Sequence, residues 1–464
     1  MSTMGVRDFR PKIHFTAPSM WINDPNGMFF ANGTYHLFYQ YHPGSTVWGP
    51  MHWGHAVSQD LIHWKHLPVA LYPDSLGTIF SGSAVYDAEN TSGLGAMGCS
   101  PVVAIYTQNL EGPNGKSDRK QHQSIAYSLD GINFIKYFNN PVLPCPPDQT
   151  DFRDPKVFKN QIIKCWSMVV SSGDHVEFYR SDDLLRWDKT GEFGQGTSLL
   201  PHQGIWECPD LFRLQTPDGT KDILIVSLSL DAEYGGSRTG YFTGVFDGYT
   251  FVPDPQSKFQ WLDQGFDNYA GVTFNHSDHR ILMGWASNWT YASQCPTNEY
   301  CGAMTLARKL SLIKTPDGYR LASAPAGLQS LITNLRRLND RDVITSEVFG
   351  LDLRGNGDGI ISFSNDRGQT LQFGIKDNSL FFDRSSAGRN DFSKEFNRKY
   401  FSERFASRFF SGPWQMEVIF DVSHIELFLD HGTVTMSCCI YPDTPYTQLE
   451  FTGDIAGRYM DFRV

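Results

Sequence analysis

Cysteine is scarce in this sequence and follows no recognisable pattern. The eight cysteines among 464 residues form no CxxC pair, and none has the spacing to histidine that is typical of zinc ligands. An even number of cysteines in so long a chain does not imply a disulfide framework. The cysteines therefore indicate neither a zinc motif nor a disulfide-stapled domain.

Long hydrophobic runs are also absent. No window approaches the roughly 20 apolar residues that a membrane-crossing helix needs, so we expect no membrane partner. The first ten residues contain no apolar signal core. We therefore expect a cytoplasmic protein, or a secreted one whose signal segment has been removed.

Positive charge is in deficit. Lysine and arginine number 39 against 50 aspartates and glutamates, which gives a formal net charge of −11. Proteins that bind nucleic acid normally carry a basic patch, so this balance argues against such a partner. An acidic surface is compatible with a neutral sugar but does not select one.

Long amphipathic helical stretches are scarce, and short apolar runs bounded by Gly, Asn, Asp and Pro recur instead, which predicts an all-β protein. A loose repeat starts with an aspartate and leads into an aromatic or apolar residue four positions later. Its five copies begin at Asp60, Asp130, Asp183, Asp247 and Asp317. This spacing favours a five-bladed β-propeller over residues 1–321. The alternative is that such turns are simply common in β proteins.

The repeat ends near residue 321, and the pattern changes beyond it. Residues 322–337 hold a proline, several Ala and Leu residues and two adjacent arginines, which is compatible with a linker containing a short helix. Residues 338–464 show alternating, hairpin-like patterns, as in 417–436. We predict that this second domain is a β-sandwich.

Three candidate carboxylates each lie directly beside a proline or a tryptophan in the sequence. Asp24 lies in the segment WINDPNG at residues 21–27, Asp154 in FRDP at 152–155, and Glu207 in WECPD at 206–210. Amide donors beside Asp24 and the guanidinium beside Asp154 would favour the charged carboxylates, whereas an indole and a thiol beside Glu207 would favour its protonated form. Each motif has an ordinary reading: a surface turn, a surface ion pair and an exposed glutamate.

The three motifs fall in different repeat units, and this makes the ordinary readings harder to sustain together. Equivalent loops of successive propeller blades converge at one end of the central channel. Sugar bonds are usually hydrolysed by a pair of carboxylates, one ionised and one protonated. The sequence thus predicts that distant acids meet at one glycosidase-like site.

With these motifs assembled, the chain resembles glycoside hydrolase family 32, the invertases and fructan hydrolases, over essentially its whole length. The resemblance rests on the three acid motifs together with HWGHA at 52–56, FSGSA at 80–84 and GWASNW at 284–289. It implies a five-bladed propeller followed by a β-sandwich, in agreement with the repeat count. It also implies that no metal or organic cofactor is used.

The resemblance further implies residue roles. Asp24 is expected to be the nucleophile, Glu207 the general acid/base, and Asp154 the transition-state stabiliser. The positions that match the fructose pocket of the family are Asn23, Gln40, Trp48, Phe80, Ser81, Arg153 and Trp285. Retaining glycosidases hold their two carboxyl groups about 5–5.5 Å apart, and we expect this separation between Asp24 and Glu207.

The implied activity is that of an exo-acting, retaining β-fructofuranosidase that removes terminal fructose from sucrose, fructo-oligosaccharides, inulin or levan. Trp48 supports exo action, since exo enzymes of the family close their pocket with such a residue. A fructosyltransferase would use the same acids, and a non-catalytic sugar-binding homologue could share the scaffold. We expect a small sugar as the partner and either a monomer or a homodimer.

Overall fold

A computed structural model describes residues 7–113, 115–196, 200, 204–230, 235–255 and 258–464. Nearly all regular structure in these ranges is β-strand, arranged as five small sheets followed by one large sheet. In the described part of the chain, no helix has the length and apolar character needed to cross a membrane.

The five small sheets are the blades of a β-propeller, as predicted. Each blade is an antiparallel sheet of four strands, and the innermost strands of successive blades pack against one another around the axis. The first three blades contain β1 (Met20–Ala31), β2 (Thr34–His42), β3 (His52–Ser58) and β4 (Lys65–Leu71); β5 (Thr78–Tyr86), β6 (Val102–Gly112), β7 (Gly115–Ser128) and β8 (Ile135–Lys136); and β9 (Phe152–Asn160), β10 (Cys165–Ser172), β11 (His175–Ser181) and β12 (Asp188–Phe193).

Blades four and five follow the same plan with small additions. Blade four contains β13 (Ile205–Thr216), β14 (Gly219–Ser229), β15 (Ser237–Phe246) and β16 (Phe251–Pro253), and β17 (Gln260–Trp261) also pairs with β15. Blade five contains β18 (Tyr269–Thr273), β19 (Ile281–Trp285), β21 (Arg308–Thr315) and β22 (Gly318–Pro325). Between β19 and β21 in the chain, the short strand β20 (Tyr300–Cys301) pairs in parallel with β1 of blade one. This pairing ties blade five to blade one and closes the ring.

The repeated aspartates mark the turn between the third and fourth strands of each blade. In the first four copies, the carboxylate accepts the backbone N–H groups two and three residues ahead, as an Asx-type turn does. The fifth copy, at Asp317, lies in the β21–β22 turn. Each neighbouring pair of blades also shares one buried apolar cluster. The sequence repeat and the blades therefore coincide.

The C-terminal domain is a β-sandwich in which two long strands belong to both layers. Its strands are β23 (Ile332–Arg337), β24 (Arg341–Val343), β25 (Val348–Ser364), β26 (Thr370–Lys376), β27 (Ser379–Ser386), β28 (Glu403–Ser407), β29 (Trp414–Asp421), β30 (His424–Leu429), β31 (Val434–Cys439) and β32 (Gln448–Phe462). The first half of β25 pairs with β29 and its second half with β26, while β32 follows it throughout. A bulge between Asn356 and Gly359 bends the pair from one layer to the other.

The segment predicted as a linker with a short helix differs in detail. Residues 322–325 complete β22, and residues 332–337 form β23, which pairs with β32. The helix is limited to one 3-10 turn, Leu328–Leu331, because Gly327 at its start adopts φ 84° and the β-branched Ile332 and Thr333 follow it. The described ranges contain two other single-turn elements, a 3-10 turn at Ala292–Gln294 and a π-helical turn at Phe396–Tyr400.

A buried network of charges joins the two domains. Arg308 of the propeller binds Glu426 of the sandwich at 2.8 Å and Asp263 at 2.9 Å. His14 of the N-terminal segment lies 2.8 Å from Asp421 and 3.3 Å from Glu426. Burial alone would lower the pKa of His14, but the two carboxylates raise it to about 9. Since buried charges are tolerated only when paired, this network favours one fixed orientation of the domains.

Candidate active site

The innermost strand of every blade is interrupted by a β-bulge at the same end of the propeller. The strand register shifts between Ile22 and Pro25 in β1 and at the equivalent positions of β5, β13 and β18. Blade three has the corresponding shift in the pairing of β9 with β10. A bulge adds a residue to one strand and re-aims the side chains beside it. Five bulges around one axis therefore direct several consecutive side chains into a common funnel.

The local sequence explains these bulges. In three blades a proline follows the residue at the bulge: Pro25 follows Asp24, Pro155 follows Asp154, and Pro209 follows Cys208. Proline has no N–H group to donate to the neighbouring strand. Asp154 and Cys208 adopt φ values of 65° and 46°, which few residues other than glycine adopt. Blade two uses glycine instead. A Cβ atom on Gly82 would lie 2.1 Å from the carbonyl oxygen of Ile105, so only glycine fits there.

The funnel ends in a cavity of about 610 Å³, which is within the range of small-molecule sites. All three predicted acids line it. Among the described residues, its lining is Asn23, Asp24, Gln40, Trp48, Phe80, Ser81, Glu111, Arg119, Thr150, Asp151, Arg153, Asp154, Ile205, Glu207, Ser229 and Trp289. Acids that are far apart in the chain thus meet in one site, as the sequence predicted.

Asp24 is held by three donors at the base of the cavity. One carboxylate oxygen accepts the Asn23 amide at 3.0 Å, and the other accepts the Ser81 hydroxyl at 2.7 Å and the Cys208 thiol at 3.4 Å. Burial, together with the nearby charge of Glu207, raises the pKa of Asp24 above its ordinary value despite these donors. Asn23 is fixed in turn by the Trp21 indole at 2.8 Å. The carboxylate is therefore held by hydrogen bonds and partly desolvated, as a nucleophile requires.

Glu207 is held from two sides by polar groups. Arg153 donates to one carboxylate oxygen at 2.7 Å, and the buried Tyr269 hydroxyl donates to the other. The predicted indole and thiol environment is wrong, because side chains alternate along β13 and the bulge turns the next one inward. Trp206 packs in the apolar core between blades three and four, and the Cys208 thiol is directed at Asp24.

Asp154 is coupled electrostatically to both Asp24 and Glu207. Its carboxylate accepts the backbone N–H of Cys208 at 2.9 Å, and Nε of Arg153 is 3.9 Å away. Burial raises the pKa of Asp154 to about 7, since it outweighs the attraction of Arg153 and is assisted by the charges of Glu207 and Asp24. Arg153 thus lies beside two of the three acids, Asp154 and Glu207.

Six of the seven predicted sugar-contacting residues line the cavity, and Trp285 does not. Trp285 is fully buried and packs against Trp21 and Trp289, with ring centroids 5.8 and 4.8 Å away. It is the last residue of β19, whose pairing with β18 keeps its side chain in the interior. Trp289, four residues further along the same motif, lines the cavity instead.

The outer wall of the cavity was missed by sequence reasoning. It includes Glu111 and Arg119 from the β6–β7 hairpin, together with Asp151, which contacts both Arg119 and Arg153. Asp151 directly precedes the FRDP motif, which was the available signal. The sequence predicts loops at the pocket mouth over residues 110–123, which are rich in Gly, Lys and Asp, and over residues 230–239. In the structure, residues 110–123 belong largely to this hairpin, and part of 230–239 lies outside the described residues.

One group of possible metal ligands occurs in the described ranges, and it is not part of this cavity. His175, Glu177 and Glu192 could approach a common ion. The ammonium group of Lys189 already lies 3.0 Å from Glu177 and 2.8 Å from Glu192. Both carboxylates are therefore already paired with the same lysine.

A propeller whose funnel holds two carboxylates in different polar environments, together with a third acid that is coupled to both, has the machinery of a glycoside hydrolase. Comparison with known sequences specifies the class further. The N-terminal domain of glycosyl hydrolases family 32 matches residues 14–325, and the C-terminal domain of the same family matches residues 337–458. The chain belongs to glycosyl hydrolase family 32.

Individual relatives agree with this assignment. A levanase from Bacillus subtilis (strain 168) is 40% identical, over 96% of this chain and 68% of that protein. An extracellular exo-inulinase from Aspergillus awamori is 34% identical, over 96% of this chain and 92% of that protein. The crystal structure of an exo-inulinase from Aspergillus awamori superposes with a TM-score of 0.87 at 31% identity, covering 98% of this chain and 99% of that one.

A β-fructofuranosidase from Schwanniomyces occidentalis, solved in complex with fructose, has the same TM-score of 0.87. It is 28% identical, and the superposition covers 100% of both chains. Both domains of the fold are therefore shared with glycoside hydrolases of known structure.

Proposed function

We propose that this protein is a retaining, exo-acting β-fructofuranosidase. It removes terminal, non-reducing β-D-fructofuranosyl residues from sucrose, fructo-oligosaccharides, inulin or levan. The observation that carries the proposal is that Asp24 from blade one and Glu207 from blade four line the same cavity with different partners. Retaining glycosidases need two such carboxylates, one to attack and one to transfer the proton.

The first half of the reaction forms a covalent intermediate. Asp24 attacks the anomeric carbon of fructose while Glu207 gives its proton to the bridging oxygen, so that the aglycone leaves as an alcohol. The Ser81, Asn23 and Cys208 donors fix the attacking carboxylate. Burial raises the pKa of Cys208 well above its ordinary value, so its thiol stays neutral beside the acids.

The second half releases fructose. Glu207, now ionised, takes a proton from water, and the hydroxide displaces Asp24 from the anomeric carbon with net retention of configuration. Arg153 can hold the ionised Glu207 because its guanidinium donates to it at 2.7 Å. Asp154 lies beside both acids and stabilises the oxocarbenium-like transition state through the sugar hydroxyls.

The names of the relatives support fructans and sucrose as the substrate class. They include a levanase, exo-inulinases and an invertase from Schizosaccharomyces pombe. The cavity supports exo action, because it is a funnel that ends at the acids. Trp48 stands in its wall with 44% of its surface exposed and its ring edge-on to Phe80. An exposed indole at this place can stack on a sugar ring.

A substrate panel on wild-type protein and the Asp24→Asn variant tests the proposal. The panel contains sucrose, 1-kestose, inulin and levan, and the products are separated and quantified at low and high sucrose. Wild type should release fructose from the ends of chains, without products longer than the substrate. Asp24→Asn should retain binding and lose about 10⁴-fold or more in kcat, because the nucleophile is removed.

Asp218→Asn is the matched control for this experiment. Asp218 is an exposed carboxylate in the turn between β13 and β14 that pairs with Lys314 at 2.9 Å and does not line the cavity. Its variant should keep wild-type turnover. Wild-type turnover in Asp24→Asn would remove Asp24 from the mechanism, and release of internal fragments from levan would contradict exo action.

A further inference from the structure

A second cavity lies at the opposite end of the propeller channel. The innermost strands begin at the active site, with Asp154 on β9 and Glu207 on β13, and their far ends reach this cavity at Lys159 and Arg213. Its volume is about 280 Å³, close to the lower limit of small-molecule sites. Its position therefore makes it separate from the catalytic funnel.

A buried ion pair lies in the channel between the two cavities. Lys156 and Asp210 are 4% and 0% exposed, and the lysine nitrogen is 3.1 Å from the carboxylate. The same carboxylate oxygen accepts the hydroxyl and the backbone N–H of Thr273 at 2.7 and 2.6 Å. A ligand in the far cavity consequently has no contact with the catalytic acids.

The far cavity carries more positive than negative charge. Lys159, Arg213 and Arg280 line it, whereas Asp222 is the only carboxylate in its lining among the described residues. Arg213 is committed to Asp222 through two hydrogen bonds of 2.8 and 2.7 Å. Lys159 is 3.0 Å from Glu89, outside the lining. Arg280 is thus the cation whose charge is left over.

Arg280 lacks a close counter-ion. No carboxylate in the described ranges lies within 4 Å of its guanidinium, whose one polar contact is a 3.5 Å hydrogen bond to the Thr273 hydroxyl. The guanidinium lies over the Phe212 ring at 5.1 Å. Burial lowers the pKa of Arg280, and the charge of Asp210 offsets this effect only in part. A bound anion would supply the missing charge.

The shape of the cavity suits a small anion. Phe158, Phe212 and Phe246 contribute apolar surface to the lining, and Gln161 contributes a side-chain amide. The Asn160 amide is already bonded to the Ser167 hydroxyl and the Gly248 carbonyl. A planar guanidinium presents two parallel N–H groups that match the oxygens of a phosphate group. We propose that the far cavity is an anion site in which Arg280 binds a phosphate group, either free or carried by a small metabolite.

The test uses the full-length protein with fructose at saturating concentration, so that the funnel is occupied. Melting temperature and calorimetric binding are measured with inorganic phosphate, with glycerol 2-phosphate and with chloride at matched ionic strength. Phosphate at about 100 times its Kd should raise Tm by about 2–5 °C over chloride. Tighter binding of the ester than of free phosphate would identify a phosphorylated metabolite as the ligand, and the reverse order would identify phosphate itself.

Arg280→Ala should weaken binding at least tenfold and remove the stabilisation. The matched control is Arg320→Ala, because Arg320 also lies over a phenyl ring, that of Phe409 at 4.2 Å, but lines a different groove. Equal phosphate effects in wild type and Arg280→Ala, or no difference between phosphate and chloride, would overturn the proposal.

A measurement on the wild-type protein covers the case in which Arg280→Ala does not fold. Hydrogen–deuterium exchange with and without phosphate should show added protection in residues 158–162, which line the far cavity, and in residues 275–280, which contain the lining residues Asn275, His276 and Arg280. The lining of the funnel should be unaffected, since fructose occupies it in both samples. Protection confined to the funnel, or absent everywhere, would contradict the assignment of this site.

Discussion

Replacement of Asp154 by asparagine should stabilise the protein at neutral pH while it abolishes activity. The pKa of Asp154 is about 7 in the folded protein, against an ordinary value of 3.8, chiefly because the carboxyl group is buried. The folded state therefore keeps a proton that the unfolded chain loses as the pH rises from about 4 to about 7. Stability falls across this window, because only the unfolded chain gains the solvation of an ionised carboxylate there.

The magnitude follows from the two pKa values. Each pH unit between them corresponds to about 1.4 kcal/mol. The Asp154 carboxyl group therefore lowers the stability by about 4 kcal/mol at pH 8, where both states are ionised, and by about 2 kcal/mol at pH 5, where only the unfolded chain is ionised. Asparagine keeps an acceptor for the N–H of Cys208 and removes the charge. For a chain of 464 residues, with about 2 cal/mol/K of unfolding entropy per residue, 1 kcal/mol corresponds to about 1 °C.

Differential scanning calorimetry of wild type and Asp154→Asn between pH 5 and pH 8 measures this effect. The Tm of the variant relative to wild type should increase by about 2–3 °C from pH 5 to pH 8. Asp218→Asn is again the control, and its difference from wild type should not grow in this direction. A variant that melts below wild type at pH 8, or a difference independent of pH, would refute the reasoning.

Three further predictions concern single contacts. Tyr269→Phe removes a donor to Glu207, so kcat on sucrose should fall about 10- to 100-fold with KM unchanged. Because the pKa of His14 is raised to about 9, its stabilising charge is present below about pH 6.5 and lost through pH 9, so Tm should fall over this range in wild type but not in His14→Gln. Trp48→Ala should raise KM for sucrose about tenfold with little change in kcat. An unchanged kcat in Tyr269→Phe would contradict the first prediction, and an equal fall in Tm in wild type and His14→Gln the second. An unchanged KM in Trp48→Ala would contradict the third.

The architecture could be predicted because its signals are local. Each aspartate of the repeat closes a turn with backbone N–H groups two and three residues ahead, so the turn is encoded within five residues. The convergence of Asp24, Asp154 and Glu207 followed from blade symmetry together with the family resemblance. Neither inference needed knowledge of side-chain packing.

The environment of individual side chains could not be read from neighbours in the sequence. Trp206 and Cys208 flank Glu207 in the chain, but strand alternation and the bulge direct them to other partners. The true partner Tyr269 comes from a strand 62 residues further along. For the same reason Trp285 was assigned to the cavity that Trp289 lines. Long-range contacts of this kind depend on how blades pack, which no local pattern specifies.

The β6–β7 hairpin could not be predicted from its local sequence either. Its glycine-, lysine- and aspartate-rich sequence suggested a mouth loop, whereas pairing with the neighbouring strand makes it a hairpin that brings Glu111 and Arg119 to the cavity. Pairing with a neighbouring strand supplies backbone hydrogen bonds, so residues with low intrinsic strand propensity can still form a strand. Tertiary context therefore decides the shape of the outer wall.

The central claim is that Asp24 becomes covalently bound to fructose and that Glu207 is needed to release it. Mass spectrometry of peptides from a Glu207→Ala variant, incubated with an aryl β-fructofuranoside whose leaving group needs no protonation, tests this directly. We predict a fructosyl ester on the peptide that contains Asp24, and none in the Asp24→Asn, Glu207→Ala double variant. Release of the aryl group with Asp24 unmodified, or an ester on another acid, would contradict the account.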